Sequence, residues 1–133
     1  MKEILDKLKK QGEMLFKAGA TEEEILLWEN NNIALPKQYT EWLRLSDGGD
    51  LFLPAGLQLY GVSHKPIIDI DDDDRPDDSF VVIGALASGD PIVCRKDSET
   101  ICIYNHEAGV IEVDEVYDDF KSFLNDLKGI LGE

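Results

Sequence analysis

The residues with the most evident chemical potential are seven aspartates within ten positions: Asp69, Asp71, Asp72, Asp73, Asp74, Asp77 and Asp78. Clustered carboxylates suit a hard cation such as Ca²⁺. The EF-hand pattern is not met, because the sixth position counted from Asp69 is Asp74 instead of glycine and the twelfth is Phe80 instead of glutamate. Counting from Asp71 fails in the same way. Three interpretations remain: a solvated acidic loop, a docking surface for a basic partner, and a cation site of another type.

Nucleophilic and redox residues stand in no recognised catalytic arrangement. Ser46, Ser63 and Ser88 lie in no nucleophile elbow, and Cys94 and Cys102 lie in no Cys-His signature and no Cys-x-x-Cys. We expect both thiols to be reduced and structural, since nothing suggests export and cytosolic disulfides are rare. Paired carboxylates are abundant, but a glycosidase also needs a cleft and a carboxyl of raised pKa. We therefore expect no catalytic residue, no metal and no cofactor.

The histidines and tryptophans are expected to serve the fold. His64 is expected in a loop and His106 at the end of a strand. A zinc site built from two histidines and two cysteines would need ligands brought together from distant positions. Trp28 and Trp42 are predicted to be core residues, with an exposed anchor for a partner as the alternative.

Charge is the unusual property of the composition. The formal net charge is −15, and it divides into −1 for residues 1–44 and −14 for residues 45–133. Nucleic acid and anionic membranes need Lys and Arg contacts, so neither is an expected partner. An acidic surface attracts cationic ones, although acidity also keeps a protein soluble. No apolar run approaches the roughly 20 residues of a membrane helix and residues 1–17 do not resemble a signal peptide, so we expect a cytoplasmic protein.

Apolar spacing predicts two helices at the start of the chain. The first, fading near Gly19, is indicated by Ile4, Leu5, Leu8, Leu15 and Phe16. The second begins at Thr21, because a Glu three positions later, Glu24, completes a capping box. It ends in the run of asparagines at 30–32, and its apolar face comprises Ile25, Leu26 and Trp28.

Two more helices are predicted on either side of a region with strand character. One begins with Pro36, where a missing N–H costs nothing, and ends at Gly48 and Gly49. Its apolar side consists of Tyr39, Trp42, Leu43 and Leu45. The other runs from Tyr117 to Leu131 with Phe120, Phe123, Leu124 and Leu127 on one side.

Between these helices, short runs rich in Val, Ile, Leu and Tyr predict strands at 51–53, 57–62, 66–70, 80–87, 92–96, 100–105 and 110–113. The intervals are too short for helices, so the sheet must be largely antiparallel. A hairpin is expected around 97–99. A three-residue loop would place Cys94 opposite Cys102, whereas a loop of two or four residues would place them on opposite faces. The sequence predicts one α+β domain over residues 1–133, with a mostly antiparallel or mixed sheet flanked by helices.

One stretch resembles the SUKH superfamily, which includes bacterial immunity proteins and fungal regulators of cell-wall assembly. The matching residues are Leu35, Pro36, Tyr39, Trp42, Leu43, Gly48 and Gly49, and Asp47 stands where asparagine is usual. The likeness extends over roughly residues 20–128. It implies an α+β fold and, for bacterial members, neutralisation of a toxin by direct binding. The motif itself has an architectural character, because its proline, aromatic and glycine residues start, pack and turn the chain.

The leading hypothesis is an immunity-type protein that binds and blocks a basic toxin domain, such as a nuclease. The expected contacts are acidic and fall in two groups: Asp71, Asp72, Asp73, Asp74, Asp77 and Asp78 first, with Asp114, Glu115, Asp118 and Asp119 second. The alternatives are an intracellular regulatory scaffold, with weaker salt dependence of binding, and an enzyme acting on a small molecule, with a deep polar pocket.

Overall fold

Three helices precede the sheet in the computed structural model, which describes residues 1–54, 56–63 and 79–131. They are α1 (Lys2–Lys9), α2 (Glu22–Asn31) and α3 (Lys37–Leu45). The strands are β1 (Gly49–Leu51), β2 (Leu57–Leu59), β3 (Phe80–Leu86), β4 (Pro91–Arg95), β5 (Ile101–Ile103) and β6 (Val116–Tyr117). A 3-10 turn (Val113–Glu115) precedes β6, and α4 (Phe120–Asn125) and α5 (Leu127–Ile130) follow it.

The strands form one antiparallel sheet in the order β1-β2-β3-β4-β5-β6. Each strand pairs with the next along the chain, and every pair is antiparallel. The α+β prediction is confirmed. The register shifts at a bulge between Val82 and Gly84, and Ile83 and Ile92 both belong to the core on the helix-covered face.

The main core lies between the helices and one face of the sheet. Its largest fully buried side chains come from α3 and α4, with Trp42, Tyr39, Phe120 and Phe123 at 0% exposure. Phe120 meets both Tyr39 and Trp42 edge-on, at ring-centroid distances of 5.0 and 5.9 Å. Both tryptophans are buried, so the prediction of core residues is confirmed and that of exposed anchors is wrong. A smaller apolar cluster on the other face contains Phe80, Val82, Val93 and Cys102.

The first helix is shorter than its apolar spacing predicts. Helix α1 ends at Lys9, and Leu15 lies instead beside β1, donating to the Asp50 carbonyl at 2.8 Å and accepting from the Asp50 amide at 2.9 Å. Gly12 has a low helix propensity, and pairing with an open strand edge satisfies the backbone of this segment. The predicted extension through Leu15 and Phe16 is therefore wrong.

Helix α2 begins as predicted. The Thr21 hydroxyl accepts from the Glu24 amide at 3.2 Å, and the Glu24 carboxylate accepts from the Thr21 amide at 2.9 Å. The helix ends in the asparagine run, with Asn32 as its C-cap. Ile25 and Trp28 are buried, whereas Leu26 is 49% exposed and does not belong to the buried face.

Helix α3 differs from prediction at both ends. Pro36 is the N-cap and not the first helical residue, and the helix ends at Leu45 with Ser46 as its C-cap. The glycines do not close the helix. Gly48 and Gly49, at φ values of 89° and 134°, instead turn the chain from the helix into β1.

The later strands show two further differences. Residues 110–113 do not form the predicted strand; Val110 makes only an isolated bridge with Asn105, and β6 lies farther along the chain. The β4–β5 register pairs Cys94 with Ile101 and Val93 with Cys102, and the Arg95 amide donates to the Thr100 carbonyl at 3.1 Å, so residues 96–99 form a four-residue loop and the cysteines lie on opposite faces. The predicted strand at 66–70 lies outside the described residues.

The closing helix is confirmed but interrupted. It begins at Phe120 and not at Tyr117, which belongs to β6, and it breaks at Asp126 into α4 and α5. Leu127 is buried on the same side as Phe123 and Leu124.

Candidate protein-binding surface

The seven residues of the recognised motif extend from just before α3 to the start of β1, and their aromatic and aliphatic side chains are buried. The Trp42 indole N–H donates to the Gly48 carbonyl at 3.0 Å, and the Ser46 hydroxyl donates to the same oxygen at 2.7 Å. The Tyr39 hydroxyl donates to the Tyr60 carbonyl, and burial raises the pKa of Tyr39 well above its usual value. These contacts tie α3 to the sheet and leave the motif side chains away from solvent.

Asp47 joins the same junction through its carboxylate. It is 3% exposed, and its two oxygens accept separately from the Val62 amide at 2.7 Å and the Ser63 amide at 2.9 Å. A side chain at Gly61 would collide with the Asp47 carboxylate, so glycine is required for this close approach. Asparagine has only one acceptor oxygen in its side chain, and the aspartate therefore suits this geometry better.

The acidic residues predicted as partner contacts are divided by the structure. The first group, Asp71, Asp72, Asp73, Asp74, Asp77 and Asp78, lies outside the described residues. Of the second group, Asp114 and Asp118 are exposed, whereas Glu115 and Asp119 are half-buried. Asp114 and Glu115 belong to the 3-10 turn that leads into β6, and Asp118 directly follows that strand.

Asp119 has a clear structural contact. One of its carboxylate oxygens accepts from the Ser122 amide at 2.8 Å and caps α4, while the other accepts from the Gln38 side chain at 3.3 Å. The backbone amide of Ser122 is the main cause that lowers the pKa of Asp119. Gln38 also accepts from the Lys121 amide at 2.8 Å, so this contact joins α3 to α4.

The pKa of Glu115 is raised by its surroundings. Partial burial is the largest cause that raises its pKa, and the charges of Asp114, Asp90 and Glu112 raise it further. Burial also raises the pKa of Tyr117, whose hydroxyl donates to Asp126 at 2.8 Å. Between Lys96 and Lys121 the chain has eight acidic residues and neither Lys nor Arg. Negative charge is therefore concentrated in this part of the sequence.

Three exposed valines lie in the same stretch as these acids. The sequence interpretation did not predict that they are at the surface. Val113 is 94% exposed, and Val110 and Val116 are each 46% exposed. Together with Glu112, Asp114 and Asp118 they form a surface that we call the 110–118 ridge. The sequence does show valine alternating with acidic residues here. That alternation does not identify exposed valines, because it equally predicts an edge strand with one buried face.

A cleft of about 660 Å³ lies beside the start of α3. Two of its charged groups are already engaged. Glu99 accepts from the Lys37 and Gln38 amides at 2.8 and 3.2 Å and so caps α3, and Arg44 makes a bidentate pair with Glu22 at 2.6 and 2.9 Å. In the part of the chain that the structure describes, no three His, Cys, Asp or Glu side chains are grouped to hold a metal ion. Nor does any helix of that part have the length and apolarity needed to cross a membrane.

The fold is that of a small α+β protein in which helices cover one face of an antiparallel meander. Residues 19–126 match the model of the SMI1 / KNR4 family (SUKH-1), and the chain belongs to this family. The resemblance drawn from residues 35–49 is confirmed. Family membership is consistent with an immunity protein or a regulatory protein. A search of individually curated proteins finds no match.

Proposed function

We propose that this protein is a non-enzymatic, cytoplasmic binding module of the immunity type, which neutralises a basic toxin domain by binding to it directly. The SMI1 / KNR4 family (SUKH-1) is generally non-enzymatic and acts through protein–protein contacts, and membership of it supports the class of protein-binding module. The charge distribution supplies the chemistry of the partner, since an acidic surface binds a cationic one.

The observation that supports this proposal is the stretch between Lys96 and Lys121, which is rich in acidic residues and has neither Lys nor Arg. Eight acidic residues lie between Lys96 and Lys121, and Asp114 and Asp118 project into solvent. A nuclease groove is cationic because it must bind phosphate. An acidic inhibitor can occupy such a groove, with fast association at low ionic strength and marked weakening as salt is added.

Two acidic regions are candidate contacts in this proposal. Asp71–Asp74, Asp77 and Asp78 form the first, as the sequence suggests, and Asp114, Glu115 and Asp118 form the second. Asp119 contributes less to binding in this scheme, because its carboxylate caps α4 and bonds Gln38. Charge-neutralising substitutions in a contacting region should slow association by about tenfold or more at low salt.

Co-expression with the toxin domain encoded by the neighbouring gene tests the proposal. Growth should be restored by this protein, and the purified domains should bind with an association rate that falls steeply as salt is added. The matched control neutralises three exposed acids of the N-terminal region, as E3Q/D6N/E13Q, and should bind like the wild type. A neighbouring gene without a toxin domain, or binding independent of salt, would favour a regulatory scaffold and reject the immunity function.

A further inference from the structure

The two edges of the sheet are treated differently. The β1 edge is continued by the segment around Leu15, which exchanges two backbone hydrogen bonds with Asp50, and Leu53 donates to the Glu13 carbonyl at 2.9 Å. At the other edge β6 is the outermost strand, and within the described residues it pairs only with β5. Exposed edge strands are normally covered or protected, because they bind other chains readily.

The 110–118 ridge lies on this open edge and combines apolar and acidic side chains. Val116 is paired in register with Cys102, Cys102 with Val93, and Val93 with Val82, so an apolar row crosses the outer face and ends in solvent at Val116. Val113 projects from the adjoining 3-10 turn with 94% of its surface exposed. A β-branched residue so fully exposed beside an open edge has apolar area available to a partner.

We propose that the 110–118 ridge is a docking surface for a segment of a basic protein in which Lys or Arg side chains alternate with apolar ones. The apolar side chains would pack on Val113 and Val116, and the cations would pair with Glu112, Asp114 and Asp118. This inference rests on the proposed function and names its contact surface.

Charge complementarity selects the occupant. A second copy of this chain would bring like charges together on the ridge, which disfavours self-association through it. The charged form of Glu115 is disfavoured by partial burial first, and then by the charges of Asp114, Asp90 and Glu112. A cation placed among them relieves that repulsion, whereas an uncharged apolar segment leaves it in place and removes water from it.

The probes are two short peptides of equal charge, one alternating lysine with valine and one alternating lysine with serine. Binding is measured by calorimetry and located by amide NMR shifts on the full chain. We expect the lysine–valine peptide to bind about fivefold to tenfold more tightly than the lysine–serine peptide, with shifts centred on residues 110–118. V113S should remove most of that difference, and E112Q/D114N/D118N should weaken both peptides.

Matched controls are available in the N-terminal part of the chain. Leu27 is 65% exposed on α2, so L27S removes an exposed apolar side chain elsewhere, and E3Q/D6N/E13Q removes three charges elsewhere. Because Val113 is almost fully exposed, V113S should retain the wild-type unfolding midpoint, and V110S provides a second ridge variant, at a residue that is 46% exposed. L27S and E3Q/D6N/E13Q should leave peptide binding unchanged.

Equal affinity for the two peptides, absence of binding, or shifts centred elsewhere would each overturn the ridge assignment. That failure is distinguishable from failure of the proposed function. If the ridge variants still neutralise the toxin domain with wild-type affinity, the ridge is rejected and the immunity function stands. If the wild-type chain binds no toxin domain, the proposed function itself is rejected.

Discussion

Replacing Asp47 with asparagine tests how the family motif is attached to the sheet. Each Asp47 carboxylate oxygen accepts from a different backbone amide, at 2.7 Å from Val62 and 2.9 Å from Ser63. In D47N one oxygen becomes an NH₂ group, which cannot accept and points a donor at a donor. The change is nearly isosteric, so its effect isolates the hydrogen bonding from packing.

The expected loss follows from the energetics of hydrogen bonds to charged groups. Such a bond contributes about 1.5–3 kcal/mol, and leaving a buried donor unsatisfied costs about 1–3 kcal/mol. Ser63 is exposed, so water can partly replace the lost acceptor, and we expect D47N to reduce the free energy of unfolding by about 2 kcal/mol. At this chain length that corresponds to a fall in Tm of roughly 7 °C.

Urea unfolding followed by fluorescence of the buried Trp28 and Trp42 measures the effect, with the slope m required to stay constant. The control is D50N. Asp50 accepts from the Gln58 side chain at 2.8 Å through one oxygen, which asparagine retains, so its loss should stay below about 0.5 kcal/mol. Equal midpoints for D47N and D50N would refute the assigned role of Asp47.

Three further predictions concern the helix caps and the thiols. E99A should cost about 1 kcal/mol of unfolding free energy, because α3 loses the acceptor of two amides, whereas the exposed E107A should be neutral in the same urea assay; equal effects would contradict the cap. D119A should cost about 1 kcal/mol at neutral pH. The folded pKa of Asp119 lies below its unfolded value, so that penalty should shrink as the pH falls from the unfolded pKa through the folded pKa. A penalty that does not change with pH would contradict the cap. Burial raises the pKa of Cys94 to about 12 and also raises that of Cys102. Thiolate-directed reagents should therefore label both cysteines only after unfolding, as measured by mass spectrometry. Rapid labelling of the folded protein would show that the two thiols are not protected by burial.

Local rules made part of the fold predictable. The capping box at Thr21 and Glu24 involves residues three positions apart, so sequence alone identifies the start of α2. The period of the apolar residues gave the helix-then-strand order, and short connections required antiparallel pairing. The motif at 35–49 indicated the family, because its buried aromatic residues and turning glycines are needed by the architecture.

Long-range contacts decided the features that sequence did not predict. Leu15 has helical spacing from Leu8, yet it pairs with Asp50, a partner visible only once β1 is placed. Glu99 caps α3 from 62 positions away, so no local pattern could identify it.

The candidate surface was predictable in charge but not in shape. Acidity identified Asp114, Glu115 and Asp118, whereas the exposure of Val113 depends on the 3-10 turn that displaces it from the expected strand. The Asp119 cap of α4 is a local pattern that the acidity argument did not use, whereas its bond from the Gln38 side chain, 81 positions away, depends on the fold.

The most direct test of the central claim is a calorimetric titration of this protein, over a series of salt concentrations, into the toxin domain that the proposal expects a neighbouring gene to encode. We predict a one-to-one complex whose affinity falls steadily as salt rises, and a toxin that is inactive in the complex. Absence of binding, or a complex that leaves the toxin active, would contradict the proposal that this acidic protein acts by direct neutralisation.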